Sequence, residues 1–262
     1  MKIVVCIKQV PSASDAKIDP ETKRIVREGS KSVLNPFDLY AVEEAVRIKE
    51  RTGGEVIALS MGPESAKNAL IEALSMGADD ALLLCDRAFA GSDTWATSYA
   101  LSKAIEKIGD VDLVICGKQA IDGDTAQVGP GIASKLGMMQ AANVLSVDAV
   151  SADSLTVKRM NERGYDVLRL KLPALITVVK DINFPRIPTL RNARIARKKE
   201  IPLLKPADIG ADPEKLGLAA SPTRVVKTAP PAVREGATLN IAGDAGEAAA
   251  ALVNELSSRG LL

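Results

Sequence analysis

The stretch Val111–Gly137, VDLVICGKQAIDGDTAQVGPGIASKLG, decides the fold: an apolar run, a polar loop containing glycine and a helix pattern follow one another. Leu113, Val114, Ile115 and Cys116 form the short apolar run that a parallel strand needs when both its faces are covered. Gly117 ends the run, and Gly123 opens the loop to backbone conformations closed to other residues. Around Thr125, Ala126, Gln127 and Val128, hydroxyl, amide and free N–H groups can converge on one phosphate at a helix start. The chain has neither G-x-G-x-x-G after a first strand nor G-x-x-x-x-G-K-[ST]. Asp122 and Asp124 lie in this anion loop, so the phosphate donors must be N–H and O–H groups. The carboxylates then face ribose hydroxyls, or Asp124 simply caps the helix.

Upstream, the same alternation recurs. Strand-like runs at Lys2–Ile7, Glu55–Ser60 and Ala81–Cys85 alternate with helix patterns at Phe37–Arg51, Glu64–Met76 and Thr94–Ile108. Lys17–Val26, with Ile18, Ile25 and Val26 around PETK, reads as a small inserted hairpin. Beyond Gly137, the runs Val144–Val150, Leu155–Arg159, Tyr165–Leu170 and Ala174–Val179 read as further strands of the same sheet. The class is α/β, built on a parallel sheet whose ligands sit outside the carboxyl ends of its strands. Asn35-Pro36-Phe37-Asp38 opens the first long helix and either reaches that pocket or merely caps the helix through Asn35.

At 262 residues the chain can hold one large domain or a domain with an extension. Lys and Arg total 34 against 33 Asp and Glu, a balance that disfavours a whole-surface nucleic-acid binder. MKIVVCIKQV enters a strand at once, without a leader pattern, and no apolar run reaches spanning length, so the expectation is a cytoplasmic protein without membrane insertion. The lack of histidine excludes His-based catalysis. Cys6, Cys85 and Cys116 are too few for a four-thiolate cluster and lack C-x-x-C spacing, so neither a metal site nor a disulfide is expected. Each ends an apolar run and reads as a small buried hydrophobe near the mouth of the sheet. Redox work in this chain therefore needs an organic cofactor.

From Pro185 the chain turns proline-rich and basic in PRIPTLRNARIARKKEIP. No aromatics are interleaved to stack bases, so the segment reads as a protein-docking loop, 185–200, or as a solvated surface loop. Ile201 to Glu235 are rich in proline and glycine, and Asp244 to Arg259 form one helix pattern. Such a segment, 201–262, is expected to be an arm that packs on a partner chain or folds back on the domain 1–200.

VCIKQVP at the start, LNPFDLYAVEEAVRIKE, SMGP, GKQAIDGDTAQVGP, LKLPALITV and TLRNARIARKKEI together carry a resemblance that runs over essentially the whole chain. The chain resembles the beta subunit of electron transfer flavoproteins. The resemblance implies a Rossmann-like, adenine nucleotide alpha hydrolase-like domain that binds an adenine nucleotide, with an arm packed on an alpha subunit that holds an FAD. Carried over residue by residue, the nucleotide contacts fall on Cys6, Asn35, Pro36, Phe37, Asp38, Met61, Gly117, Lys118, Gln119, Ala120, Ile121, Asp122, Gly123, Asp124, Thr125, Ala126, Gln127 and Val128.

Some members of that family hold a structural AMP at this site. In others it holds a second FAD, which accepts hydride from NADH and bifurcates the electrons between ferredoxin or flavodoxin and the alpha-subunit FAD. GDTAQVGP together with DRAFAGSDTWAT, Asp86 to Thr97, resembles the second group. FAD needs a second phosphate cradle, which Gly91, Ser92, Thr94 and Thr97 can supply with Asp93 as cap or ribose partner. Arg87 is the nearest cation to the implied ring or a plain surface residue. No catalytic side chain is implied: the chain sets geometry and potential, and NADH oxidation is expected only in complex. The family's docking loop maps to Thr189–Lys199, with Leu190 as apolar anchor framed by Arg191, Arg194, Arg197 and Lys198. The partner dehydrogenase would act on an acyl-CoA, an enoyl-CoA or a hydroxy acid. Two alternatives stand beside this reading, a non-bifurcating subunit with AMP and a stand-alone ATP-binding stress-type sensor; the basic loop and the arm count against the sensor.

Overall fold

Residues 1–12, 17–18, 25–26, 32–226, 240–241 and 243–262 are described in a computed structural model. β1 (Lys2–Cys6) is followed by β2 (Gln9–Pro11), and β3 (Lys17–Ile18) pairs antiparallel with β4 (Ile25–Val26), as the hairpin expectation requires. The PETK turn itself lies outside the described residues. β5 (Ser32–Leu34) returns to pair with β2 and leads into α1 (Pro36–Thr52). β6 (Glu55–Met61), α2 (Lys67–Met76), β7 (Asp80–Leu84), α3 (Thr94–Ile108), β8 (Leu113–Gly117) and α4 (Val128–Leu136) then complete the alternation. β9 (Met139–Val150), β10 (Ser154–Asn161), β11 (Gly164–Lys171) and β12 (Ala174–Val178) follow, and then come α5 (Leu190–Ala196) and β13 (Leu203–Leu204).

The large sheet has nine strands in the order β11-β10-β9-β12-β8-β1-β6-β7-β13. β9, β12, β8, β1, β6, β7 and β13 pair parallel, and β10 alone runs against its neighbours. The period of two along β1 sorts its side chains: Ile3 and Val5 enter one core, Val4 and Cys6 the other. The first core is closed by α1 and α2, through Ala41, Val42, Ala45 and Ile48 and through Leu70 and Ala73. The second is closed by α3 and α4, through Ala100, Leu101 and Ala104 and through Ile132 and Ala133. Both faces of the central strands are thus covered, which is why their sequences are continuously apolar.

Two features differ from the sequence reading. The basic segment is not a plain loop, because Thr189 accepts a hydrogen bond from Asn192 N and caps the seven-residue helix α5. The first compact unit runs to Lys227, past the expected limit at 200. Ile201, Ile209, Ala211 and Leu216 are buried, and β13 extends the sheet beside β7, so the start of the presumed arm belongs to the domain. The second unit, Thr228–Leu262, contains α6 (Ala245–Ser258), capped by Asp244 and Glu247 and without a buried residue. Among the described residues no helix is long and apolar enough to cross a membrane.

Candidate nucleotide site

β1 and β8 are neighbours, yet the chain leaves them for opposite faces, through α1 after β1 and through α4 after β8. A crevice forms outside the strand ends at such a point. Asn35, 1 % exposed, crosses it: its Nδ2 donates to Gln119 O at 2.9 Å, and its Oδ1 accepts from Ile121 N at 3.1 Å. Its backbone N–H donates to Lys8 O at 2.9 Å. The side chain makes no cap bond to α1, so the capping reading of Asn35 gives way to that of a stitch between loops. Pro36 takes the first helical position, where its missing N–H costs nothing.

Asp38 lies beneath this stitch and accepts from Lys8 N at 2.7 Å. Burial raises its carboxyl to about 7, against the lowering effect of donors from Asn35, Lys8 and Gly117. A Cβ on Gly117 would run into the Asp38 carboxylate and stand 2.8 Å from the carbonyl carbon of Phe37, so only glycine lets β8 end this close to α1. At the rim, Lys8 Nζ pairs with Asp122 at 2.7 Å, which turns that carboxylate away from the loop interior. Cys6 and Met61 end β1 and β6 on the side of the sheet that α3 and α4 cover.

Asp124 does not cap α4. The cap position is Gln127, without a side-chain bond, and the Asp124 carboxylate takes a hydrogen bond from Gln119 Nε2. The backbone differs here from a plain helix start: Asp124 (φ 54°) and Ala126 (φ 55°) are both left-handed, and the Asp124 side chain turns back to Gln119. Non-glycine residues in that region are strained and mark places where surrounding structure holds the chain for a purpose. What the strain achieves is a row of open donors. Among the described residues, no group accepts from the backbone N–H groups of Thr125, Ala126, Gln127, Val128 and Gly129. They meet at the start of α4, where the helix dipole adds positive potential.

The second loop, Asp86–Thr97, lies beside the first. A Cβ on Gly131 of α4 would come within 2.8 Å of Ser98 Oγ of α3, so the two helices touch near their first turns. Asp93 caps α3, accepting from Trp95 N at 2.9 Å and Ala96 N at 3.1 Å, and Thr94 and Thr97 lie half-buried on its opening turns. The cap does not use all of Asp93: Thr223 N and Thr223 Oγ1 each donate to its other oxygen at 2.9 Å. Burial opposes the charge on Asp93, but these donors outweigh it and hold the carboxyl below its usual range. Ser221 Oγ accepts from Asp93 N at 2.8 Å and donates to Gly217 O, so residues 217–223 form a strap over the loop. In the sequence this strap is marked by Ser221-Pro222-Thr223, a turn pattern of short hydroxyl residues around a proline that does not by itself point to α3. Arg87 is exposed on a short turn capped by Asp86.

In the basic segment, Arg186 is locked onto α1 through Glu43 at 2.8 Å and Glu50 at 2.6 Å. Leu190 beyond it is 92 % exposed, as are Phe184 and Ile187, and Arg191, Arg194, Arg197 and Lys198 surround it in solvent.

Residues 22–209 match the electron transfer flavoprotein domain. The electron transfer flavoprotein subunit beta of Thermoanaerobacterium thermosaccharolyticum is 49 % identical over 260 residues, 99 % of each chain. The chain belongs to the electron transfer flavoprotein beta-subunit family. Another relative, the caffeyl-CoA reductase-Etf complex subunit CarD of Acetobacterium woodii, is 44 % identical over the full length of both chains. Protein FixA of Azorhizobium caulinodans is 46 % identical over 91 % of this chain and 88 % of its own. The electron transfer flavoprotein domain match takes in α1, both strand-end loops and the whole basic segment, while β1 with Cys6 and Lys8 lies before it.

Proposed function

We propose that this beta subunit pairs with an electron transfer flavoprotein alpha subunit in the cytoplasm and binds FAD at the two adjoining loops. The observation that carries the reading is the row of unpartnered N–H groups from Thr125 to Gly129, held by two strained residues and set against the start of α3. One such cradle suits AMP; two helix starts in contact suit a dinucleotide. FAD supplies the ring that takes hydride from NADH and divides the electron pair between ferredoxin or flavodoxin and the alpha-subunit FAD. This chain's residues bind and orient: the N–H row holds phosphate, Asn35 and Gly117 fix the spacing of the walls, and Lys8 with Asp122 closes the rim. No side chain is asked to move a proton.

Leu190, presented by α5 within its ring of arginines and lysine, is the anchor for a dehydrogenase of acyl-CoA, enoyl-CoA or hydroxy-acid type. The relative from Acetobacterium woodii, named for a caffeyl-CoA reductase complex, supports a partner of this kind. The test is cofactor counting on the heterodimer purified with its alpha subunit, followed by anaerobic NADH titration. Two flavins, both bleached by NADH, are the expected result. One flavin with one AMP, and no bleaching, would replace the FAD reading with the AMP one.

A further inference from the structure

Cys6 of β1 stands directly beside Cys116 of β8 in parallel register. Register neighbours point to the same face, and both sulfurs enter the core that contains Val4, Val114, Ile132 and Ala133. Both thiols are free, at 8 % and 6 % exposure, whereas Cys85 packs against the opposite core. Cys6 is the main reason the Cys116 thiol is pushed up, ahead of burial. Neighbouring strands lie about 4.8 Å apart, inside the roughly 4.4–6.8 Å of Cα separation that a disulfide spans.

The first turn of α4 rests on this pair. A Cβ on Gly129 would stand at contact distance, 3.6 Å, from both Cβ and Sγ of Cys116 and 2.6 Å from Thr177 Cγ2, so the turn lies next to the sulfur and close against Thr177. Val128 and Gly129 in that turn carry open N–H groups of the anion cradle. We propose that Cys6 and Cys116 are an oxidisable dithiol whose disulfide shifts the first turn of α4 and weakens phosphate binding; the second half rests on the nucleotide reading above.

The oxidant is a small aliphatic disulfide. One protein thiolate attacks it and expels the first thiolate leaving group; the second protein thiol then displaces the other. One S–S bond forms as one breaks, the protein gives up two electrons, and its two protons leave with two molecules of small thiol. Burial and the raised Cys116 thiol make this slow, so the pair responds to sustained oxidation rather than to brief exposure.

The test incubates the full-length chain with bis(2-hydroxyethyl) disulfide, alkylates remaining thiols with N-ethylmaleimide in denaturant, and maps the peptides by mass. The expected product joins the Cys6 and Cys116 peptides, two hydrogens lighter than the reduced pair, with Cys85 alkylated. AMP affinity, measured by calorimetry, should fall about tenfold on oxidation and recover with dithiothreitol, as loss of one good phosphate hydrogen bond would give. Cys116→Ser, or Cys116→Ala where serine is not tolerated, should make that affinity indifferent to the oxidant. Alkylation of both cysteines, or separate mixed adducts on each, overturns the dithiol. A Cys6–Cys116 disulfide that leaves AMP affinity unchanged overturns the link to the cradle. If the reduced chain binds no AMP, the nucleotide reading fails, while the peptide map still decides the dithiol.

Discussion

Asn35 and Asp38 show how much of the site hangs on two buried polar residues. Asn35 uses both ends of its amide on the Gly117–Val128 loop, and Asp38 holds the Lys8 backbone from below. Asp38 gives the molecule a pH signature. Its carboxyl is raised from 3.8 to about 7 by burial, so across that range the folded chain keeps a proton that the unfolded chain has released. The stability it contributes is complete below 3.8 and is lost as pH rises through about 7. Asp38→Asn, neutral throughout, should flatten the dependence of the urea midpoint on pH between about 4 and 7; an unchanged slope would mean the carboxyl is not the titrating group. At this scale the sequence was only half legible. The loop residues could be placed because they follow apolar strands, but Asn35 and Asp124 both read as caps, since short polar residues before a helix usually are. The left-handed backbone at Asp124 and Ala126 leaves no mark in residue type, because neither is glycine.

At the scale of elements, one carboxylate serves both α3 and the strap. Asp93 both caps α3 and receives Thr223, so its loss weakens both, leaving the strap to Ser221 on Asp93 N and Ser92 on Gly217 N. Asp93→Ala should cost about 1–2 kcal/mol of stability, the usual range for a lost N-cap. Limited proteolysis should also cut the variant faster at 217–226; equal cleavage rates would show that the strap is held elsewhere. The long elements were legible because their apolar spacing repeats over several turns or a whole strand. β13 was not, being two residues between proline-containing neighbours, and α5 was hidden in a segment whose basic character pointed to a loop. In both cases tertiary contacts, Ala196 in the core and the β7 edge, supply what local pattern lacks.

At the scale of the whole molecule, the chain divides after Lys227. α6 has no buried side chain, and Leu252 and Val253 are about half exposed at 49 % and 51 %. An amphipathic helix in that condition gains stability by covering another surface. Ending the chain after Lys227 should therefore leave the thermal midpoint of the first unit within about 2 °C, a shift that corresponds to about 0.5–1 kcal/mol at this size. The same truncation should abolish co-purification with the alpha subunit; a shortened chain that still pulls it down would place the contact on the first unit instead.

β13 also guards one flank of the sheet. Pro202 O and Leu204 O accept from Leu83 N and Cys85 N, so these two residues close one open flank of the sheet. Stripped of them, β7 would offer an apolar ribbon, Ala81 to Leu84, with its amides free to template a strand from another molecule. A preparation trimmed at the end of the basic segment would lose this cover together with the buried Ile201, Ile209, Ala211 and Leu216, so destabilisation and self-association should come together.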